Sequence, residues 1–164
     1  MSLLNADEYT GERGVYAAVE LPETFAKHIF ELCDYLGLER PPAEELHCTV
    51  MYSPEETVRQ MPTVNKAINA LVTSVQHWVG HNDKVYVVAD VQSMALVQLH
   101  SQFAKQGAKP TFAAYRPHIT LGKIEEATPE FEAKIDALNW SLKEKPIHVA
   151  FMGCVAKDIR QDGD

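Results

Sequence analysis

The chain has 164 residues, 46% apolar and 23% charged, a composition that predicts one globular domain over 1–164 and excludes a disordered, collagen-like or coiled-coil chain. Fifteen Lys and Arg against 23 Asp and Glu leave a net charge of −8, which excludes a protein that coats long nucleic acid through a basic surface; any phosphate ligand is small and held locally. Three cysteines without CxxC pairing argue against a disulfide framework or cysteine zinc site, and no export signal or membrane-length apolar run is evident, so a soluble protein in a reducing cytosol is expected.

Gly14-Val15-Tyr16-Ala17-Ala18-Val19-Glu20-Leu21 reads as a strand closed by Pro22. Phe25, Ile29, Leu32, Cys33 and Leu36 then recur at helical spacing up to Gly37, which predicts an amphipathic helix over 22–36. After Pro41-Pro42, residues 45–52 read as a second strand, and Ser53-Pro54-Glu55-Glu56 opens a polar connection. β-branched and aromatic residues over 70–79 and 84–91, separated by Gly80-His81-Asn82-Asp83, predict an antiparallel hairpin. Ser93 is suited to cap a helix that carries Leu96, Leu99, His100 and Phe103 and stops at Gly107, and 116–123 follows as a strand. Thr128-Pro129 opens a helix to about Leu138, and 147–155 makes the last strand. The hairpin speaks against a uniformly parallel sheet, so the fold class is α+β with a mixed or antiparallel sheet.

His47-Cys48-Thr49-Val50 and His118-Ile119-Thr120-Leu121 repeat one pattern, each inside a predicted strand. Alternation along a strand puts His47 and Thr49 on one face, and His118 and Thr120 likewise. If a pseudo-twofold arrangement brings the strands side by side, two imidazoles and two hydroxyls meet in one cleft, giving an acid, a base and two hydrogen-bond donors for a phosphate. One copy would read as β-propensity with a satisfied histidine; the doubling favours chemistry. His77 and His81 have no carboxylate at ligand spacing, and His28, His100 and His148 read as residues without partners, so no metal site is expected.

A nucleotide ligand also needs flat surfaces for its bases, for which Tyr16, Tyr115 and Trp78 are the candidates. Tyr16 alternates with the small Ala18, yet reads equally well as a core aromatic, and packing is the more ordinary role of Trp78. Arg116 stands two residues before His118, so an extended strand would aim it into the same cleft to pair with phosphate unless Pro117 bends the register.

At the two tetrapeptides the sequence resembles the 2H phosphoesterase superfamily, named for its paired His-x-Thr motifs. With Thr10-Gly11-Glu12-Arg13-Gly14-Val15-Tyr16-Ala17-Ala18-Val19 and the spacing of the motifs, it is similar over nearly the whole chain to the phage anti-CBASS nuclease family. The resemblance implies a bilobal fold of two antiparallel-rich sheets with outer helices around a central cleft. It implies that His47 and His118 act as general acid and base, in an order the sequence leaves open, while Thr49 and Thr120 hold the phosphate. The activity implied is metal-independent hydrolysis of 3′-5′ linkages in cyclic di- and trinucleotides, the alarm signals of infected bacteria, by a cofactor-free monomer in the host cytoplasm. The alternatives are a 2H phosphodiesterase acting on 2′-5′ linkages or 2′,3′-cyclic RNA ends, a sponge that binds cyclic nucleotides without turnover, and a purely structural protein. One departure stands out: the family's tryptophan near the C-terminus has no counterpart, since residues 157–164 contain no aromatic.

Overall fold

A computed structural model describes residues 2–80, 82–112 and 114–159. In chain order the elements are β1 (Leu4–Glu8), β2 (Val15–Glu20), α1 (Glu23–Leu36), β3 (His47–Ser53), β4 (Ile68–Val79), β5 (Val85–Gln92), α2 (Met94–Lys105), β6 (His118–Ile124), α3 (Pro129–Glu144), β7 (Ile147–Phe151) and β8 (Cys154–Lys157). The helix boundaries follow from local chemistry. Gly37, at φ 73°, ends α1 by giving its N–H to Asp34, and the next N–H, of Leu38, bonds to Cys33. Ser93 Oγ accepts from the Leu96 N–H at 3.2 Å to start α2, and Thr128 accepts from the Phe131 N–H at 3.1 Å with Pro129 behind it to start α3.

The α+β class holds, with all eight strands in one sheet of order β1-β8-β2-β3-β6-β5-β4-β7; only β1–β8 is parallel. The order divides into two halves that match in their inner strands and differ in their outer pairs, β1–β8 being parallel and β4–β7 antiparallel. An inner strand, a helix and a His-x-Thr strand follow one another as β2-α1-β3 in one half and as β5-α2-β6 in the other. The expectation of two separate sheets is corrected at the join, where β3 and β6 pair directly with Cys48 opposite Ile119. Each strand would otherwise present an unpaired backbone edge, and pairing satisfies both.

The single strand expected over 147–155 is two strands. Met152-Gly153, with Gly153 at φ 89°, interrupts it; β7 pairs with β4 at one end of the sheet, and β8 inserts between β1 and β2 at the other. Phe151 and Cys154 are three residues apart and so at most about 11 Å apart. The sheet must therefore curl until its two ends nearly meet, wrapping its buried face around the core. Val15, Val19, Cys48, Val50, Ile119, Leu121 and Val149 are all fully buried there. Helix α1 packs on β6, β7 and α3, helix α3 on β4, and α2 against β3 and β4.

Candidate active site

Cys48 and Ile119 are opposed across the join and both point into the core at 0% exposure. Antiparallel pairing on either side of them sets His47 opposite Thr120 and Thr49 opposite His118, on the face turned away from that core. The two histidines thus lie on a diagonal, for which ordinary sheet geometry gives about 7–8 Å between backbones. Each half carries a β-bulge at the same place. Ala17 and Ala18 pair with Met51 and Thr49, leaving Val50 extra; Val87 and Val88 pair with Gly122 and Thr120, leaving Leu121 extra. The fourth residue of each tetrapeptide is therefore the bulged one, which turns its apolar side chain into the core just beyond the threonine.

Both imidazoles are held identically. His47 Nδ1 lies 2.7 Å from the Glu45 carbonyl oxygen, and His118 Nδ1 lies 2.9 Å from that of Arg116, each two residues back. A carbonyl only accepts, so each Nδ1 donates, and each Nε2 is left as the pole that exchanges a proton. Glu20 and Asp90 also occupy matching positions, opposite His47 and His118 on the neighbouring strands. They differ in environment. Glu20 is exposed. Asp90 Oδ2 accepts from Ser74 Oγ at 2.9 Å and from Gln76 Nε2 at 2.6 Å, and lies 3.5 Å from the Arg116 guanidinium, while its buried Oδ1 has no partner among the described residues.

A cavity of about 520 Å³ opens beside the join. Of the sequence candidates, Thr49, His118, Tyr16, Tyr115, Arg116 and Trp78 line it; His47 and Thr120 stand exposed on the same sheet face, outside its lining. The Tyr16 hydroxyl is 3.3 Å from Thr49 Oγ1, and burial raises its pKa. Tyr115 donates to the Thr49 carbonyl at 2.8 Å, and burial raises its pKa well beyond the usual phenol range. Trp78 meets His118 edge-on at 5.3 Å between ring centres and lies under the Arg116 guanidinium at 5.4 Å. Arg116 precedes β6 rather than starting it, and its guanidinium donates to Gln76 Oε1. These contacts bring Arg116 to the cavity despite Pro117.

Tyr52, Asp90, His100 and Phe112 are among the lining or flanking residues that escaped the sequence reading. Asp90 had a signal in its place as the lone acid of Val85-Tyr86-Val87-Val88-Ala89-Asp90-Val91. His100 had one too, one residue beyond Leu99 on the buried side of α2. Its expected lack of partners is corrected: Nδ1 lies 2.7 Å from the Val50 carbonyl oxygen, and the ring stacks on Tyr115. His148 likewise has a partner in Asn69 Oδ1 at 2.9 Å, and His77 faces Glu132 at 3.8 Å. His81 lies outside the described residues, as do 160–164, the end of the tail without aromatics. Among the described residues no three His, Cys, Asp or Glu side chains are grouped to hold a metal ion, and no helix is long and apolar enough to cross a membrane.

Fold and join define a class: an α+β protein whose curled, pseudo-twofold sheet carries a His-x-Thr on each of its two central strands. Within that class the chain belongs to the family of the anti-CBASS protein Acb1, whose pattern matches residues 13–142 and so includes both tetrapeptides. It is 28% identical over 129 residues to the anti-CBASS protein Acb1 of Vibrio phage KVP40, an alignment that covers 78% of this chain and 84% of that protein. The fold is also similar to the crystal structure of TT0787 of Thermus thermophilus, with a TM-score of 0.51 at 14% identity over 87% of this chain and 83% of the other.

Proposed function

We propose that this protein is a metal-independent phosphodiesterase of the 2H type that hydrolyses the 3′-5′ linkages of cyclic di- and trinucleotides, and that a phage uses it in the cytoplasm of its host to evade CBASS defence. The observation that carries this reading is the pairing of Cys48 with Ile119, which sets two imidazoles with committed Nδ1 atoms on one sheet face beside two threonine hydroxyls.

One Nε2 removes the proton of a ribose 2′-OH, whose oxygen attacks the adjacent phosphorus. The P–O5′ bond breaks as the other histidine protonates the leaving O5′. Water then opens the 2′,3′-cyclic phosphate, with the histidines exchanging roles. Thr49 and Thr120 donate to the phosphate oxygens, and Arg116 faces the charge that develops on them. Tyr16, Tyr52, Trp78 and Phe112, the last 76% exposed, offer ring faces to the bases. The bilobal cleft of the 2H class corresponds in this reading to the groove along the join, and the protein acts as a monomer on a small ligand.

The test is incubation of the purified protein with cyclic diadenylate, cyclic trinucleotides, linear RNA and RNA ending in a 2′,3′-cyclic phosphate, followed by mass spectrometry, with and without excess chelator. Cleavage of the cyclic compounds in both conditions, with 2′-deoxy analogues left intact, is the expected result. Turnover of the linear RNAs alone, abolition by chelator, or equal turnover of deoxy analogues contradicts it.

A further inference from the structure

His100 lies on α2, outside both motifs, yet it lines the same cavity as Thr49 and His118. Its ring is fixed on two sides. Nδ1 lies 2.7 Å from the carbonyl oxygen of the bulged Val50, and one ring face stacks on Tyr115 at 4.2 Å and an interplanar angle of 3°. Tyr115 in turn donates to the preceding carbonyl, that of Thr49, at 2.8 Å. Two stacked rings thus hold two successive carbonyls at the bulge, and what remains of His100 for the cavity is its second face and its Nε2 edge.

We infer that His100 is a specificity-determining residue that contacts the bound nucleotide through Nε2. The chemistry of the contact follows from the committed Nδ1. Because that nitrogen donates to Val50, the uncharged ring presents a lone pair at Nε2 and seeks an N–H on the ligand rather than an unprotonated phosphate oxygen. The exocyclic amine of a nucleobase is such a group. His47 and His118 have the same anchoring, but they stand on the central strands where the reacting phosphate sits in this reading; His100 reaches the cavity from α2, against Val50 and Tyr115, and in this reading meets a base. The assignment rests on the phosphodiesterase reading and names the group that selects the base within it.

Two substitutions separate ligand contact from scaffolding. His100→Asn places an amide nitrogen near the Nδ1 position, so it can keep the Val50 bond while removing Nε2. His100→Gln reaches the Nε2 position and gives up the Val50 bond. Binding is measured by calorimetry with 2′-deoxy cyclic diadenylate and with the same compound bearing unsubstituted purine in place of adenine, a pair that differs only by the amine. Wild type is expected to prefer adenine about tenfold. His100→Asn should bind both ligands with the affinity of wild type for the purine compound, and His100→Gln should keep part of the preference. A wild type that cleaves ribo-cyclic diadenylate but binds the two deoxy ligands equally overturns the assignment and leaves the phosphodiesterase reading in place, as does an Asn variant that keeps the full preference. A wild type that neither binds nor cleaves any of them overturns that reading and this one with it.

Discussion

Tyr115 gives its hydroxyl proton to the carbonyl of Thr49 at 2.8 Å, so the residue leading into the second His-x-Thr holds the backbone of the first. The contact ties the two halves together outside the ladder of the sheet, at the carbonyl that precedes the bulged Val50. Tyr115→Phe removes the donor and keeps the ring stacked on His100. Leaving a half-buried carbonyl without its partner costs about 1–2 kcal/mol, a fall in Tm of about 2–8 °C by calorimetry. An unchanged Tm would show that the carbonyl finds water instead.

Gly14 precedes β2, where the chain passes closest to the end of β3. A Cβ there would stand 2.2 Å from the Ser53 carbonyl oxygen and 2.7 Å from that of Pro54, at φ 75°. Gly37 shares the left-handed backbone, at φ 73°, with nothing within 4 Å. The two alanine substitutions therefore separate conformational strain from collision. Gly37→Ala should cost about 1 kcal/mol in denaturant unfolding, and Gly14→Ala clearly more, with a displacement of Tyr16 and Tyr52 that weakens ligand binding. Equal costs at the two sites would contradict the close approach.

Asp158 anchors the 9–13 loop by accepting from the Thr10 and Gly11 backbone amides and from the Thr10 hydroxyl. Burial pushes its pKa up, but these hydrogen bonds and the charge of Arg13 outweigh that and hold it below the usual carboxylate range. A depressed folded-state pKa stabilises the protein at any pH above the unfolded-state value near 4, and that stabilisation fades as pH falls through the folded-state value. Urea unfolding of wild type and Asp158→Ala should therefore show a constant gap from pH 5 to 8 that narrows below about pH 4. A gap that widens on acidification would reverse the sign and the account of the loop.

Sequence reading succeeded where periodicity is local and failed where geometry is not. The helices and the hairpin announced themselves through apolar spacing and turn residues, and alternation alone put each histidine beside its threonine. Strand β1 did not, because Leu4-Asn5-Ala6-Asp7-Glu8 has little β-propensity and is held by pairing with β8. Met152-Gly153 looked like the middle of one strand because the residues on both sides are β-prone, and only the route to opposite ends of the sheet reveals the break. In the site, His100 and Phe112 reach the cavity from α2 and the loop that follows it, a convergence that no spacing along the chain records. Asp90 was legible as a lone acid in an apolar strand, but its place opposite His118 depends on register.

The central claim is that His47 and His118 act together on one phosphodiester. Cleavage of cyclic diadenylate by wild type, His47→Ala, His118→Ala and the double variant under single-turnover conditions, with circular dichroism to establish that each is folded, tests it most directly. Each single substitution should slow cleavage by about 10²–10⁴-fold, the usual worth of a positioned acid or base, and the double variant should lose far less than the product of the two because they work as a unit. A folded single variant with near-wild-type turnover would place the chemistry elsewhere.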